Sequence, residues 1–298
     1  MQSKTFVENR IETGFKAKAK AYMELMKFRL TGFVAFSAVF GFAMAADGMS
    51  SWTQLLIVGL SGLMITGGAN ALNQLFEKSL DAKMERTKDR PMPQGRLSDN
   101  ENLIFALLMG IGGVALLGYF FNLPAALLGI IGYLSYAFVY TPMKQMTPFA
   151  VFVGAIPGAL PPMIGWVAFT GALTSGGWLL FAFQFFWQFP HFWAIAWLMD
   201  DDYKLAGFRM LPTSSGRSVR SARLILTYSI CLALMAWFPW RMGMVELSGA
   251  LGLLVIGLLF AYPAWRLFRQ PENMKNARYL LFASFFYLPL MQLIFWLS

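Results

Sequence analysis

Long uncharged stretches cut by short charged ones make up most of the chain. The apolar runs extend from Leu30 to Ala46, Gly48 to Phe76, Asn102 to Met143, Gln145 to Met199, Leu224 to Trp240, Leu247 to Trp265 and Tyr279 to Ser298. About 20 apolar residues in a helix cross the hydrocarbon of a bilayer, so two of these runs are too long for one crossing. Asn102–Met143 divides near Asn122-Leu-Pro124, and Gln145–Met199 divides near Gly171 to Gly177, where turn-forming residues gather. The pattern predicts an all-α integral membrane protein: a bundle of nine transmembrane helices over residues 30–298, preceded by an N-terminal segment, 1–29. Composition agrees, at 57% hydrophobic and 13% charged.

The cations test that helix count, because Lys and Arg gather in the cytoplasmic loops of membrane proteins. If loops alternate sides, one side receives seven Lys/Arg in the N-terminal segment, six in 77–101, Lys144, five in 200–223 and four in 266–278. The other side keeps only Arg241. The expected topology is a cytoplasmic N-terminus and an external C-terminus. The net charge of +9 is thus topological, and nucleic acid is not an expected partner. Residues 8–27 read as an amphipathic helix lying on the cytoplasmic face. The first 29 residues lack the apolar core and cleavage site of a signal peptide. Glu8, Glu12 and Glu24 argue against a mitochondrial presequence, so a bacterial inner membrane is the expected location. The single Cys231 rules out an internal disulfide.

Candidate chemistry enters where the second apolar run ends. Asn73, Glu77 and Asp81 stand at i, i+4 and i+8, a spacing that sets an amide and two carboxylates on one helical face. Oxygen ligands at a membrane surface suit a hard cation such as Mg²⁺, above all one that shares its shell with phosphate. Carboxylates at membrane depth are costly and mark substrate or ion paths. Nine of the fifteen acids fall in two loops on the same side, 77–101 and 200–202, and both loops carry cations. Two such clusters suit a metal–diphosphate, and hence departure of diphosphate from an allylic carbon.

The stretch Asn73 to Arg96, NQLFEKSLDAKMERTKDRPMPQGR, resembles the first signature of the UbiA superfamily of intramembrane prenyltransferases. Its Asn-xxx-Glu-xxx-Asp form and the M-x-R-T-x-x-R-P-x-P-x-G-R that follows are similar to the superfamily's haem-farnesylating branch. So are Tyr140-Thr-Pro-Met-Lys144, Gly158-Ala-Leu-Pro-Pro162 with Gly165-Trp166, and Trp187-Gln-Phe-Pro-His191-Phe-Trp193 followed by Asp201-Asp-Tyr203 and Met210-Leu-Pro212. The resemblance runs from about Lys27 to Pro212. It implies transfer of a farnesyl group from farnesyl diphosphate to a vinyl group of haem B, with addition of water, to give haem O. It further implies cytoplasmic active-site loops, with Asn73, Glu77, Asp81 and Asp202 holding Mg²⁺. Lys83, Arg86, Arg90, Tyr140 and Lys144, with Asp201 assisting, would bind the diphosphate. Membrane lipid is the surrounding partner, and a haem A synthase or terminal oxidase assembly would lie downstream.

One departure stands out. The superfamily's second signature carries two Asp four apart, but Leu198 and Ala206 flank Asp202 at that spacing. The consecutive Asp200, Asp201 and Asp202 point apart on a helix, so one of the three, or two if the helix unwinds, is expected to bind metal, and the resemblance makes it Asp202. His191, the only histidine, would suit a haem axial ligand, a base toward attacking water, or a packed and hydrogen-bonded core residue. Pro157, Pro161, Pro162 and Pro190 are expected to kink their helices and open a central cavity. Competing readings are polyprenyl transfer to an aromatic acid, an ion-coupled transporter using Glu77 and Asp81, and a non-catalytic haem chaperone.

Overall fold

The computed structural model describes residues 14–48 and 50–298, and it contains no strand among them. Helix α1 spans Phe15–Met26 and α2 spans Phe28–Ala46. There follow α3 (Trp52–Phe76), a short α4 (Lys78–Asp81), α5 (Asp99–Phe120), α6 (Leu123–Met143) and α7 (Ala150–Thr170). The rest are α8 (Ser175–Leu198), a short α9 (Asp200–Leu205), α10 (Val219–Arg241), α11 (Leu247–Arg269) and α12 (Met274–Leu297). Of the helix expected over 8–27, the described part is helical as α1; residues 8–13 lie outside the described residues.

Among the described residues, eight helices are long and apolar enough to cross a membrane. The ninth long helix, α8, is uncharged, but Gln184, Gln188, Pro190 and His191 lower its mean hydropathy. The two divisions predicted inside the longest runs both occur. Asn122 caps α6 by accepting from Ala125 N at 2.9 Å, and its amide donates to Val167 O and Ala168 O at the end of α7. Gly171 ends α7 at φ 73, a left-handed residue where glycine has no Cβ penalty. Ser51 and Ser98 open α3 and α5 with full capping boxes.

Without water to drive association, membrane helices rely on close backbone packing at small residues. A Cβ on Gly165 would stand 1.8 Å from Ala38 O, and one on Gly41 would stand 1.9 Å from Pro162 O. These two glycines let α2 and α7 meet backbone to backbone. One buried cluster unites α2, α3, α5, α6 and α7, and a second is built largely from α8, α10, α11 and α12. Large apolar side chains such as Phe33, Leu56, Ile111 and Phe286 face outward, as lipid contact requires.

The three prolines of α7 do not end it. Pro162 has no N–H for Gly158 O, and Gln184 Nε2 takes that carbonyl at 3.1 Å. Gln188 Nε2 likewise donates to Ala155 O at 3.1 Å. The amides that make α8 less apolar thus serve the carbonyls of α7. Gly165→Val is expected to force α2 and α7 apart and destabilise the fold by about 1–3 kcal/mol, the usual scale of overpacking. An unchanged melting temperature in detergent would rule out the backbone contact.

Candidate active site

The candidate residues converge where α3, α6 and α8 end on the cation-rich side. Asn73, Glu77, Asp81 and Lys144 are only 2%, 3%, 0% and 8% exposed. Charges so placed must be paired. The carboxylate of Glu77 pairs with Lys144 Nζ, and both oxygens of Asp81 accept from Arg90 Nη1, at 2.9 and 2.8 Å. Asn73 Nδ2 donates to Thr141 Oγ1 at 3.1 Å.

The single helix predicted to carry Asn73, Glu77 and Asp81 is interrupted. It stops at Phe76; Glu77 takes φ −96 and ψ 7; α4 then begins at Lys78. The i to i+4 hydrogen bonds nonetheless persist, from Glu77 N to Asn73 O at 3.0 Å and from Asp81 N to Glu77 O at 2.7 Å. The break falls where two carboxylates one turn apart take separate cations, from the segment after α6 and from the loop after α4. Thr87 Oγ1 donates to Asp81 O at 2.8 Å and holds that loop back.

Opposite α3, the backbone of α6 widens into a π stretch over Ser135–Tyr140. Such insertions re-aim side chains and recur at functional sites. Here Thr141 Oγ1 donates to Tyr136 O at 2.9 Å, and Tyr136 hydroxyl donates to Asn70 Oδ1 at 3.3 Å. Lys144 Nζ stands 4.9 Å from the centre of the Tyr140 ring and 5.6 Å from that of Phe208. Burial pulls the Lys144 ammonium below its ordinary value, with Glu77 opposing. Lys27 is pulled down to about 7, first by burial and then by Arg90 and Lys144, against Glu77 and Asp81.

The second acidic cluster opens out as its spacing predicted. Asp200 turns to Lys204 at 2.7 Å. Asp201, 77% exposed at its side chain, pairs at 2.8 Å with Arg217, whose Nε donates to Trp197 O at 2.7 Å. Asp201, expected to assist in substrate binding, is thus taken by Arg217, itself anchored on Trp197 O of α8. Asp202 alone reaches the first cluster: Oδ1 accepts from Glu85 N at 2.8 Å, and Oδ2 lies 3.7 Å from Arg86 Nε. The Arg86 guanidinium lies 4.4 Å from the centre of the Tyr203 ring.

The donor set suits a hard cation. Asp202 Oδ2 is buried with no hydrogen-bond partner, which leaves its lone pairs free. Among the described residues no three Asp, Glu, His or Cys side chains form a metal cage. A cation here would need ligand or water oxygens to complete its shell, which is how Mg²⁺ is commonly held.

Two candidates lie elsewhere. Lys83 is exposed, with no ion pair among the described residues. His191 lies between α8 and α12, stacked on Trp187 at 4.7 Å between ring centres, with Nδ1 2.7 Å from Ser284 Oγ. The Ser284 hydroxyl donates to Leu281 O, so the imidazole donates from Nδ1 and Nε2 keeps its lone pair.

A model of the UbiA prenyltransferase family matches residues 34–288. The chain belongs to this family. It is 43% identical over 276 residues to the protoheme IX farnesyltransferase of Cytophaga hutchinsonii, covering 93% of this chain and 96% of that one. With the protoheme IX farnesyltransferase of Flavobacterium johnsoniae it shares 39% identity over 280 residues, 92% of each chain. The fold matches a solved digeranylgeranylglyceryl phosphate synthase with a TM-score of 0.76 at 20% identity, covering 93% of this chain and 97% of that one. It also matches a UbiA homolog from Archaeoglobus fulgidus bound to GPP and Mg²⁺, with a TM-score of 0.67 at 14% identity, covering 92% and 99%. As a UbiA prenyltransferase family member with this helical bundle, the chain is a multi-pass membrane protein.

Thr141, Tyr136 and Lys27 also meet the acids' surroundings, and the sequence reading passed over all three. Thr141 lay inside the quoted Tyr140–Lys144 motif, so a signal was present; the left-handed turn at Lys27 had none. If Asp202 faces the reacting centre and Asp201 does not, Asp202→Asn should lower prenyl transfer by about 100-fold. Asp201→Asn should stay within about twofold, as exposed ion pairs contribute little. Parallel rates in one membrane preparation decide this, and equal losses would refute the assignment.

Proposed function

We propose that this UbiA family member transfers the farnesyl group of farnesyl diphosphate to a vinyl group of haem B, with addition of water, yielding haem O for terminal oxidases. The carrying observation is the meeting of the two acidic loops, in which Asp202 reaches Arg86, while Glu77 faces Lys144 and Asp81 faces Arg90 of its own loop. Near-full-length identity to proteins named protoheme IX farnesyltransferase supports the choice of acceptor.

Asn73, Glu77, Asp81 and Asp202 would hold Mg²⁺, which when bound neutralises diphosphate charge and eases its departure. Arg90, Arg86 and Lys144 would hold the diphosphate oxygens, the guanidiniums by forked contacts and the ammonium as a point charge. Lys83 would meet the diphosphate from the solvent side, and Tyr140 would close the site beside Lys144. In the reaction the allylic C1–O bond breaks and its electron pair leaves with the diphosphate. The vinyl terminal carbon bonds to C1, and the cation formed beside the porphyrin takes up water and releases a proton. His191, with a lone pair on Nε2, would serve the porphyrin, as a ligand of its iron or as acceptor of that proton. The setting would be a bacterial inner membrane with the N-terminus cytoplasmic, and a haem A synthase or oxidase assembly would receive the product.

The test uses cells that lack their own haem farnesyltransferase. With this chain supplied, extracted haem should gain the mass of one farnesyl group plus one water. Asp81→Asn should give at most about 1% of that product, since it strips a charge that acts in the transition state. Unmodified haem B together with a prenylated aromatic acid would overturn the haem reading in favour of a quinone-type prenyltransferase.

A further inference from the structure

The junction between α1 and α2 is a single residue, Lys27, at φ 52 and ψ 54. Only one other non-glycine residue among those described has positive φ, Asp47. Left-handed backbone is uncommon for a lysine, and such an outlier directs attention to what its side chain gains.

The turn is held from α3. Gln74 Nε2 donates to Leu25 O at 2.9 Å, and Asn70 Nδ2 donates to Met26 O at 3.3 Å. Thr31 Oγ1 donates to the same Met26 carbonyl. Asn70 and Gln74 are 1% and 0% exposed, so two buried amides serve the carbonyls that end α1. They sit one turn of α3 before Asn73 and Glu77. One helix therefore fixes both the acids and the turn that carries Lys27.

Charge pairing shows what Lys27 lacks. Glu77 has Lys144, Asp81 has Arg90 and Asp202 has Arg86. Lys27 lies within charge-interaction range of Glu77, Asp81, Arg90 and Lys144. Among the described residues it makes no ion pair, and its side chain is only partly exposed. Lys83 also makes no ion pair among the described residues, but it is exposed. A partly buried ammonium in a site whose carboxylates are already matched calls for an anion from outside the chain.

We propose that Lys27 is a further ligand of the substrate's diphosphate, presented by a left-handed turn that Asn70 and Gln74 hold in place. The proposal rests on the prenyl-transfer reading above and adds a diphosphate contact from the N-terminal side of the bundle. The alternative is that Lys27 merely ends α1, a task glycine performs with less strain at this φ.

The two roles separate on substitution. In detergent with Mg²⁺, Lys27→Gly should melt at or above the temperature of the native chain. Its affinity for inorganic diphosphate, by calorimetry, should fall about tenfold or more, as expected for losing one charge-assisted phosphate contact. The KM for farnesyl diphosphate should rise in step while the KM for haem stays unchanged, and Lys27→Arg should recover most of the loss. Native-like diphosphate affinity in Lys27→Gly would overturn the proposal and leave the prenyl-transfer reading standing. A raised KM for haem with unchanged diphosphate affinity would also overturn it, by assigning Lys27 to a haem carboxylate. Failure of the native chain to bind either diphosphate would overturn both readings together.

Discussion

Carboxylates cannot sit bare at the end of an apolar bundle, and the rest of the site is arranged around that constraint. Removing one partner of a buried ion pair costs about 3–5 kcal/mol, so Glu77 and Asp81 must each be met. Lys144 comes from the segment after α6, and Arg90 from the loop after α4. These two pairs draw separate stretches of chain against the end of α3. On the proposed function, the same cations that make the acids tolerable would also receive the substrate's diphosphate. Structure and chemistry thus share one set of charges.

Helix α3 carries the organisation further inward. Asn70 and Gln74 serve the last carbonyls of α1, Asn70 also meets the Tyr136 hydroxyl, Asn73 meets Thr141, and Glu77, just past the helix end, meets Lys144. The widened backbone of α6 places Tyr136 and Thr141 within their reach. A uniformly apolar α3 would cross a membrane as well, but it would leave these neighbours without register. The bundle is thus tied by polar contacts at one end and by glycine-mediated backbone contact through Gly41 and Gly165 along its length.

Much of this was legible in the sequence. Apolar runs and their turn residues marked nine long helices, because crossing hydrocarbon imposes a length that composition must obey. The grouping of the acids at 73–81 and the divergence of Asp200, Asp201 and Asp202 followed from helical spacing, and the motifs marked the family and singled out Asp202. What could not be read depends on tertiary partners. Asp201 is taken by Arg217, sixteen residues on and itself anchored on Trp197 O. The break at Glu77, the π stretch of α6 and the left-handed Lys27 are backbone departures that no local pattern announced. Nor did any local pattern announce that two amides one turn apart on α8, Gln184 and Gln188, donate to carbonyls of the proline-bearing α7.

The hydrogen bond from Glu85 N to Asp202 joins residues 117 positions apart. A ribosome adding 5–20 residues per second would take roughly 6–23 seconds to make that interval. Asp81 and Arg90 can pair within their own loop as it emerges, whereas the loop's tie to Asp202 must wait for α8 to be inserted. For that interval the nascent protein carries half of a charged site at the membrane surface, with Asp81 matched by Arg90 but the loop still unlatched. The order of synthesis therefore lets Asp81 be neutralised within its own loop first, brings Lys144 to Glu77 next, and closes the loop only when Asp202 arrives.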